Sequence, residues 1–287
     1  MNLSLTEVED IVQRALTEDI GSGDITTLLT IPPGSTSRAQ IIAKEEGVIA
    51  GLEVAAMVFR TVADACTGRE DREMSFLAGV EDGSRVRAGD MAAEITGPTA
   101  VILTAERTAL NFLQRMSGIA TKTARLVELV GHTGAKIVDT RKTVPGLRML
   151  DKYAVRIGGG HNHRFGLYDA VLIKDNHIRA AGGIGEAVRA AKSGAPRGMT
   201  VEVEAESIEQ VKTALEAGAH MILLDNMAPA ILREAVALCR GRALTEASGG
   251  ITEDNVREIA ETGVDMISIG ALTHSVKALD LSLEIKE

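Results

Sequence analysis

A chain of 287 residues is long enough for one large α/β domain or for two domains. Hydrophobic residues make up 45% and aromatic residues only 2%, with no Trp. The core must therefore be aliphatic, which suits a helix-covered parallel sheet and argues against a nucleic-acid reader that stacks bases on aromatic side chains. A net charge of −9 gives no bulk electrostatic reason to bind nucleic acid or an anionic membrane.

The N-terminal stretch MNLSLTEVEDIVQRAL predicts an amphipathic helix over Thr6 to Glu18. It has neither a basic n-region nor an apolar h-region, so it does not read as a signal peptide. No apolar run approaches the roughly 18 residues of a membrane span, and a cytoplasmic protein is the expectation. SRAQIIAKEEGVIAG alternates like a strand pair, and Leu52 to Ala65 reads as a helix. VEDGSRVRAGDMAAEITG carries Gly and Asp at short intervals, as in turns between short strands of a hammerhead-type β unit. Ala105 to Met116 follows as a helix with Ala109, Leu110 and Leu113 on one face. Cys66 and Cys239 sit in no C-x-x-C pair or metal-ligand spacing and read as two reduced core thiols.

The character of the chain changes near residue 115. Six short apolar runs then appear, KIVDTRK, AVLIKDN, TVEVEAE, MILLDN, ALTEASGG and MISIGA. Helical patterns separate the later ones, IGEAVRAAKSG, SIEQVKTALEAG, APAILREAVALC and TEDNVREIAETG. Alternating β and α segments imply a parallel sheet with right-handed crossovers. Six such strands predict a closed or nearly closed barrel, whose chemistry sits at the C-terminal strand ends. Those ends carry Arg141 and Lys142, Lys174 and Asp175, Glu202 and Glu204, Asp225 and Asn226, Glu246 and Ser248, and Gly270.

Between Asp139 and His177 lie seven cations, Arg141, Lys142, Arg148, Lys152, Arg156, Arg164 and Lys174, against four acids. His161, His163 and His177 add donors. In PGLRMLDKYAVR, Leu147, Leu150 and Ala154 would pack inward while Arg148, Asp151 and Lys152 face solvent, so Arg148, Lys152 and Arg156 are set aside. Arg141 and Lys142 end an apolar strand. Lys174 ends another, where burying a Lys is costly without a paired anion. Arg164 follows Gly158-Gly159-Gly160 and HNHR, a loop whose backbone can approach a ligand closely. Arg offers a planar fork and Lys a point charge, and together they fit several carboxylates or phosphates. SGGIT, Ser248 to Thr252, lies between a strand and a helix predicted to begin near Thr252, and SIGAL repeats the arrangement at Gly270 and Ala271. Loop amides and helix dipoles there favour phosphate. Glu204 and Asp225 end neighbouring strands; they could bind sugar hydroxyls, hold Mg²⁺ through water, stabilise a cationic transition state, or act as an acid/base pair.

DTRKTVPGLRMLDKYAVRIGGGHNHRFGLYDAVLIKDNHI resembles the signature stretch of quinolinate phosphoribosyltransferase, the carboxylating nicotinate-nucleotide pyrophosphorylase. EDIGSGDITT, ERTALNFLQRMSGIAT, VEVE, LLDN, EASGGI and GALTHSVKALDLSL extend the resemblance over nearly the whole chain. It implies transfer of phosphoribose from phosphoribosyl pyrophosphate to quinolinate, giving nicotinate mononucleotide, pyrophosphate and CO2, with Mg²⁺. It implies an N-terminal α/β sandwich over 1–115, an incomplete α/β barrel over 116–274, and a C-terminal segment, 275–287, packed back on the first domain. It also implies a homodimer, with hexamers open, in which Arg107 completes the neighbouring active site.

By the same resemblance, Arg141, His163, Arg164 and Lys174, next to Thr140, hold the quinolinate carboxylates. Lys142 lies near the ribose and leaving pyrophosphate, and Glu204 and Asp225 near the ribose and its metal. Lys142, Glu204 and Asp225 are the candidate catalytic residues. Ser248, Gly249, Gly250, Gly270 and Ala271 match the 5-phosphate loops. Three other readings compete. One is a sister phosphoribosyltransferase for another small aromatic acid, and one a barrel enzyme using Lys174 or Lys142 as a Schiff-base nucleophile. The last is a non-catalytic sensor on a decayed barrel.

Overall fold

A computed structural model of the chain describes residues 3–67 and 74–286. Its first elements are α1 (Leu5–Ile20), α2 (Ile25–Thr30), β1 (Thr36–Ala43), β2 (Gly47–Val48), α3 (Leu52–Thr67), β3 (Ser75–Ala78), β4 (Arg85–Val86), β5 (Met91–Pro98) and α4 (Thr99–Val130). Next come β6 (Lys136–Val138), α5 (Arg148–Ile157), β7 (Val171–Ile173), α6 (Asp175–Ala181), α7 (Ile184–Gly194), β8 (Val201–Ala205), α8 (Ile208–Ala217) and β9 (Met221–Asp225). The last are α9 (Pro229–Cys239), β10 (Leu244–Ser248), α10 (Val256–Ala260), β11 (Met266–Ser268), α11 (Ala271–His274) and β12 (Leu281–Lys286). Two compact units emerge. The described residues of Met1–Lys122, Val144–Gly159 and Ser275–Glu287 form one, and Thr123–Thr143 with Gly160–His274 the other. No helix among the described residues is long and apolar enough to cross a membrane.

The first unit is built on a four-stranded antiparallel sheet, order β12-β1-β5-β3. β1 alternates in exposure and turns Ala39, Ile41 and Ala43 into the core, as a sheet with one buried face requires. Val54, Val58, Phe59 and Val62 of α3 are buried as well, and Phe59 meets Phe76 of β3 with ring centroids 5.9 Å apart. β1 and β2 do not form the expected pair. β1 lies between β12 and β5, while β2 pairs with β4. Alternation reports which face is buried, not which strand is the neighbour.

α4 runs far beyond the expected Ala105–Met116 because no Pro interrupts it and Gly118 is held inside it. A Cβ at Gly118 would collide with the Lys277 carbonyl oxygen, so the helix interior takes a glycine there despite its cost of about 1 kcal/mol. The returning C-terminal chain is fastened to the same helix. The Leu279 N–H donates to the Gln114 carbonyl (3.0 Å) and the Gln114 Nε2 donates to the Leu281 carbonyl (2.8 Å).

α5 also belongs to the first unit and corrects the expected solvated face. Leu150 and Ala154 do pack inward, but Asp151 and Lys152 are buried too. Arg115 of α4 grips Asp151 with both arms, Nε to Oδ1 at 2.9 Å and Nη2 to Oδ2 at 2.8 Å, and the Val144 N–H adds a donor at 3.3 Å. Burial pushes the Asp151 carboxyl up and Arg115 opposes that. The partner lies 36 residues upstream, beyond any helical-period reading. The cysteine reading changes as well: Cys239 is buried but Cys66 is exposed.

The second unit is a six-stranded parallel sheet, order β6-β11-β10-β9-β8-β7. That order is the chain order closed into a ring, with the β6–β7 junction alone left unpaired, so the fold is an incomplete α/β barrel. Ile222 and Leu224 of β9 are fully buried, as a strand covered on both faces must be. The free edge of β6 is occupied by the segment after the glycine run. The His161 N–H donates to the Ile137 carbonyl (2.8 Å), and the Asp139 N–H to the His161 carbonyl (3.1 Å). This short parallel bridge brings HNHR to the barrel rim.

Removing the carboxylate of Asp151 leaves the Arg115 guanidinium, itself largely covered, without its counter-charge. Asp151→Ala should lower unfolding stability by about 3 kcal/mol in urea titrations, whereas Arg148→Ala, on the half-buried side of the same helix, should change it by less than about 1 kcal/mol.

Candidate active site

The site rises from the C-terminal ends of the barrel strands. β6 delivers Asp139, Thr140, Arg141 and Lys142. The Lys142 N–H donates to Thr140 Oγ1 (3.0 Å), and the Lys142 carbonyl accepts from Thr273 Oγ1 (2.7 Å). The stem of Lys142 lies across Gly270: a Cβ there would come within 2.8 Å of Lys142 Cδ. Gly270 thus makes room for the lysine, and Ala271 starts α11 directly after it.

Below the rim lies a buried polar cluster centred on His163. Its Nε2 stands 3.0 Å from Glu202 Oε2 on β8 and 3.3 Å from Glu246 Oε2 on β10. Its Nδ1 accepts from the Arg164 N–H at 2.8 Å, which places the ring proton on Nε2. Asp139, also buried, accepts from the His163 N–H (2.9 Å) and from Asn162 Nδ2 (2.5 Å). Glu202 and Glu246 are 3% and 1% exposed. Burial alone would lower the His163 pKa; Glu202 and Glu246 outweigh it and raise it to about 10. Glu202 is itself raised, by burial first and then by Glu246, against the pull of His163. With Nδ1 accepting, the ring carries its one proton on Nε2, so the proton retained up to about pH 10 belongs to the His163–Glu202 contact, whose carboxyl burial also raises.

Arg164 donates from Nη1 to the Ala170 carbonyl (3.1 Å). Burial and the neighbouring Arg141 both disfavour its charge, while Glu202 and Asp169 favour it. A partly desolvated guanidinium with Arg141 close enough to disfavour its charge is a group that an anion would stabilise. Lys174 departs from the expected buried position. β7 ends at Ile173, and Lys174 is the exposed N-cap of α6, its N–H donating to His177 Nδ1 (2.9 Å).

The carboxylates gather on the next strands. Glu204, Glu206 and Asp225 each bring an oxygen within 4.8 Å of the others. Burial first and Asp225 second push the Glu204 carboxyl up, with Lys174 acting against them. A trio of oxygen donors suits a hard divalent cation. Asn226 follows with φ at 52°, the sole non-glycine positive φ among the described residues. Its N–H donates to the Ser248 carbonyl (2.8 Å) and its Nδ2 to Asp225 Oδ2 (2.7 Å). Gly249 and Gly250 both take positive φ, and a Cβ at Gly249 would collide with the Asn226 carboxamide.

The Ser248–Thr252 loop does not run straight into a helix. α10 starts at Val256, and the loop is closed by Asn255, which accepts from the Thr252 N–H (2.8 Å) and donates to the Gly250 carbonyl (3.0 Å). Asn255 outcompetes an early helix start by capping the turn itself. Any anion held here is met by loop amides instead of a helix terminus. Arg107 lies on α4 in the first unit, where it is exposed.

Sequence reading placed Glu202, Asn226 and Glu246 at strand ends without giving them a role, and it did not single out Glu206. The signal for Glu202 was its shared strand face with Glu204, two residues on. Glu246 had only its place on an apolar strand, where an acid needs a partner.

The chain matches the family model of the quinolinate phosphoribosyl transferase N-terminal domain over residues 24–117. It matches that of the C-terminal domain over residues 119–284. It is 43% identical over 279 residues to a probable carboxylating nicotinate-nucleotide pyrophosphorylase of Bacillus subtilis, covering 97% of this chain and 93% of that protein. A decarboxylating quinolinate phosphoribosyltransferase of Nicotiana glauca is 45% identical over 298 residues, covering 97% of this chain and 82% of that one. The solved nicotinate-nucleotide pyrophosphorylase of Francisella tularensis superposes with a TM-score of 0.91 at 41% identity, covering 99% and 98% of the two chains.

The proton held by the His163 cluster links folding to pH. A folded pKa raised above the unfolded value stabilises fully below about pH 6.5 and loses that contribution as pH climbs through about 10. Urea unfolding at pH 6.5 and pH 10 should show a loss of stability for the natural protein and a distinctly flatter dependence for His163→Gln. Parallel slopes in the two proteins would remove the cluster as the source.

Proposed function

The chain belongs to the quinolinate phosphoribosyltransferase family, and from that premise we propose that it transfers phosphoribose from phosphoribosyl pyrophosphate to quinolinate with loss of CO2. The products are nicotinate mononucleotide, pyrophosphate and CO2, a step of NAD biosynthesis, which makes the chain a pentosyltransferase. The observation that carries this reading is Arg164, whose charge burial and the neighbouring Arg141 both disfavour, on the same rim as a carboxylate trio. One substrate must be a polyanion, and the other must develop positive charge.

Arg141, Arg164 and Lys174 take the two carboxylates of quinolinate, next to Thr140, with His163 behind them. Lys142, laid over Gly270, faces the ribose and the leaving pyrophosphate. The pyridine nitrogen attacks the anomeric carbon as the bond to pyrophosphate breaks, and pyrophosphate leaves with the electron pair. Glu204 and Asp225 stabilise the oxocarbenium character that appears on the ribose. Loss of CO2 from the ring then leaves an electron pair that the cations stabilise until a proton arrives. Ser248, Gly249, Gly250, Gly270 and Ala271 hold the 5-phosphate through backbone amides.

Mg²⁺ suits the oxygen donors of Glu204 and Asp225, directly or through water, and neutralises pyrophosphate charge when bound. The reading includes a cytoplasmic setting, in keeping with two free cysteines. It also includes a homodimer, open to further assembly into a hexamer, in which the exposed Arg107 completes the neighbouring site.

Purified protein mixed with quinolinate, phosphoribosyl pyrophosphate and Mg²⁺ should release nicotinate mononucleotide and CO2 in equal amounts. Activity with nicotinate in place of quinolinate would overturn the specificity. Lys142→Ala and Arg164→Ala should each lower turnover by about 100-fold or more with the fold intact; near-normal turnover in both would sink the assignment. Inactive Arg107→Ala and Lys142→Ala proteins, unfolded and refolded together, should regain activity, because each mixed dimer has one intact site and about a quarter of all sites recover. No recovery would place Arg107 elsewhere.

A further inference from the structure

His163 has no ring nitrogen left for a substrate. Nε2 faces Glu202 and Glu246, and Nδ1 accepts from the Arg164 N–H. Its backbone is fixed by Asp139. Glu202 Oε1 is buried without a hydrogen-bond partner, and Glu246 Oε2, equally buried, has only the long 3.3 Å approach of the His163 ring. Burying two carboxylates in a barrel interior costs several kcal/mol, and apolar side chains of similar volume would stabilise the fold better. The pair must therefore serve something other than stability. What it touches is the ring whose neighbour is Arg164, and the nearer acid also acts on the Arg164 charge.

We propose that Glu202 and Glu246 are positioning residues for the acid substrate, acting through His163. They clamp the imidazole by Nε2, so that Nδ1 receives the Arg164 N–H and fixes the backbone from which the Arg164 guanidinium projects beside Arg141. The Glu202 charge also favours the Arg164 guanidinium, against the neighbouring Arg141. The inference rests on the reading of Arg141 and Arg164 as the grip on an aromatic dicarboxylate. It assigns Glu202 and Glu246 to that grip and not to the phosphoribose side, which Glu204 and Asp225 serve from the neighbouring rim.

Glu202→Gln and Glu246→Gln keep shape and remove charge. Each should raise the KM for quinolinate about ten-fold while the KM for phosphoribosyl pyrophosphate stays within two-fold. Added to His163→Gln, either change should cost nothing further, because the route through the ring is already cut. Equal losses for both substrates, additive losses on His163→Gln, or unchanged kinetics would each overturn the proposal. If one variant does not fold, the other decides by the same criteria.

A readout independent of turnover is the ¹⁵N spectrum of the labelled histidine ring. The Nε2 resonance of His163 should move in Glu202→Gln and Glu246→Gln, and an unmoved resonance removes the clamp even if the wild-type protein turns out inactive on quinolinate. Inactivity of the wild-type protein alone would count against the proposed function and leave the ring result standing. The same three ligand atoms lie within 4.8 Å of one another. A divalent metal retained at one per chain after EDTA treatment and lost in Glu246→Gln would overturn the clamp by making the cluster a metal site.

Discussion

Burial and the neighbouring Arg141 both work against the charge of Arg164, and the buried Glu202 carboxylate of the barrel interior works the other way. Asp139, Glu202 and Glu246 are almost wholly buried, yet each is an acid. An apolar lining would leave Arg141 and Arg164 repelling one another in a medium that screens poorly. Carboxylates beneath the rim supply the missing counter-charge at fixed positions, and His163 links them to the backbone that carries Arg164. An acidic protein with a net charge of −9 can therefore still gather Arg141, Lys142, Arg164 and Lys174 at one end of one sheet.

Sheet order sorts the charges. The barrel is open between β6 and β7, and the segment bearing His161 to Arg164 runs along the free edge of β6. Arg141 and Lys142 follow β6, and Lys174 follows β7, so the cations border the opening. Glu204 and Asp225 end β8 and β9, toward the middle of the sheet, where paired neighbours fix them more firmly. Asn226 shows how tightly this side is set. A left-handed non-glycine residue costs about 1 kcal/mol or more, and here it is held by two hydrogen bonds that orient Asp225 and tie it to the Ser248 loop. Electrostatic stabilisation is most effective when donors and charges need no rearrangement as the reaction proceeds.

The periodic parts of this arrangement were legible in the sequence. Six apolar runs of strand length, each ending in a charged or glycine residue, pointed to the parallel sheet that the structure has. Alternation in SRAQIIAKEEGVIAG identified strand but not its neighbours, since the partner strand β12 comes from the far end of the chain. Asp151 looked solvated because three residues around it fit an exposed helical face, and only its distant partner, Arg115, makes burial tolerable. Lys174 looked buried because it ends an apolar run, but the strand stops one residue earlier. The link between Glu202 and Glu246 was illegible for the same reason as the Arg115 pair. Their meeting at one imidazole depends on strand neighbours in space, and no local pattern encodes a convergence between β8, β10 and the loop before β7.

That convergence also bears on discrimination between acids. Cations partly balanced by buried acids are, on the proposed reading, suited to a ligand that brings further negative charge. On the proposed reading, a monocarboxylate would satisfy one guanidinium and leave the other desolvated against its neighbour, a penalty of the kind that separates ligands far better than a missing apolar contact does. Lysines in place of the arginines would soften the penalty, because an ammonium on a flexible stem can swing away, whereas a planar fork anchored at the Ala170 carbonyl cannot. On that reading, the rigidity that costs stability in the buried acids is what would let the site tell a dicarboxylate from a monocarboxylate.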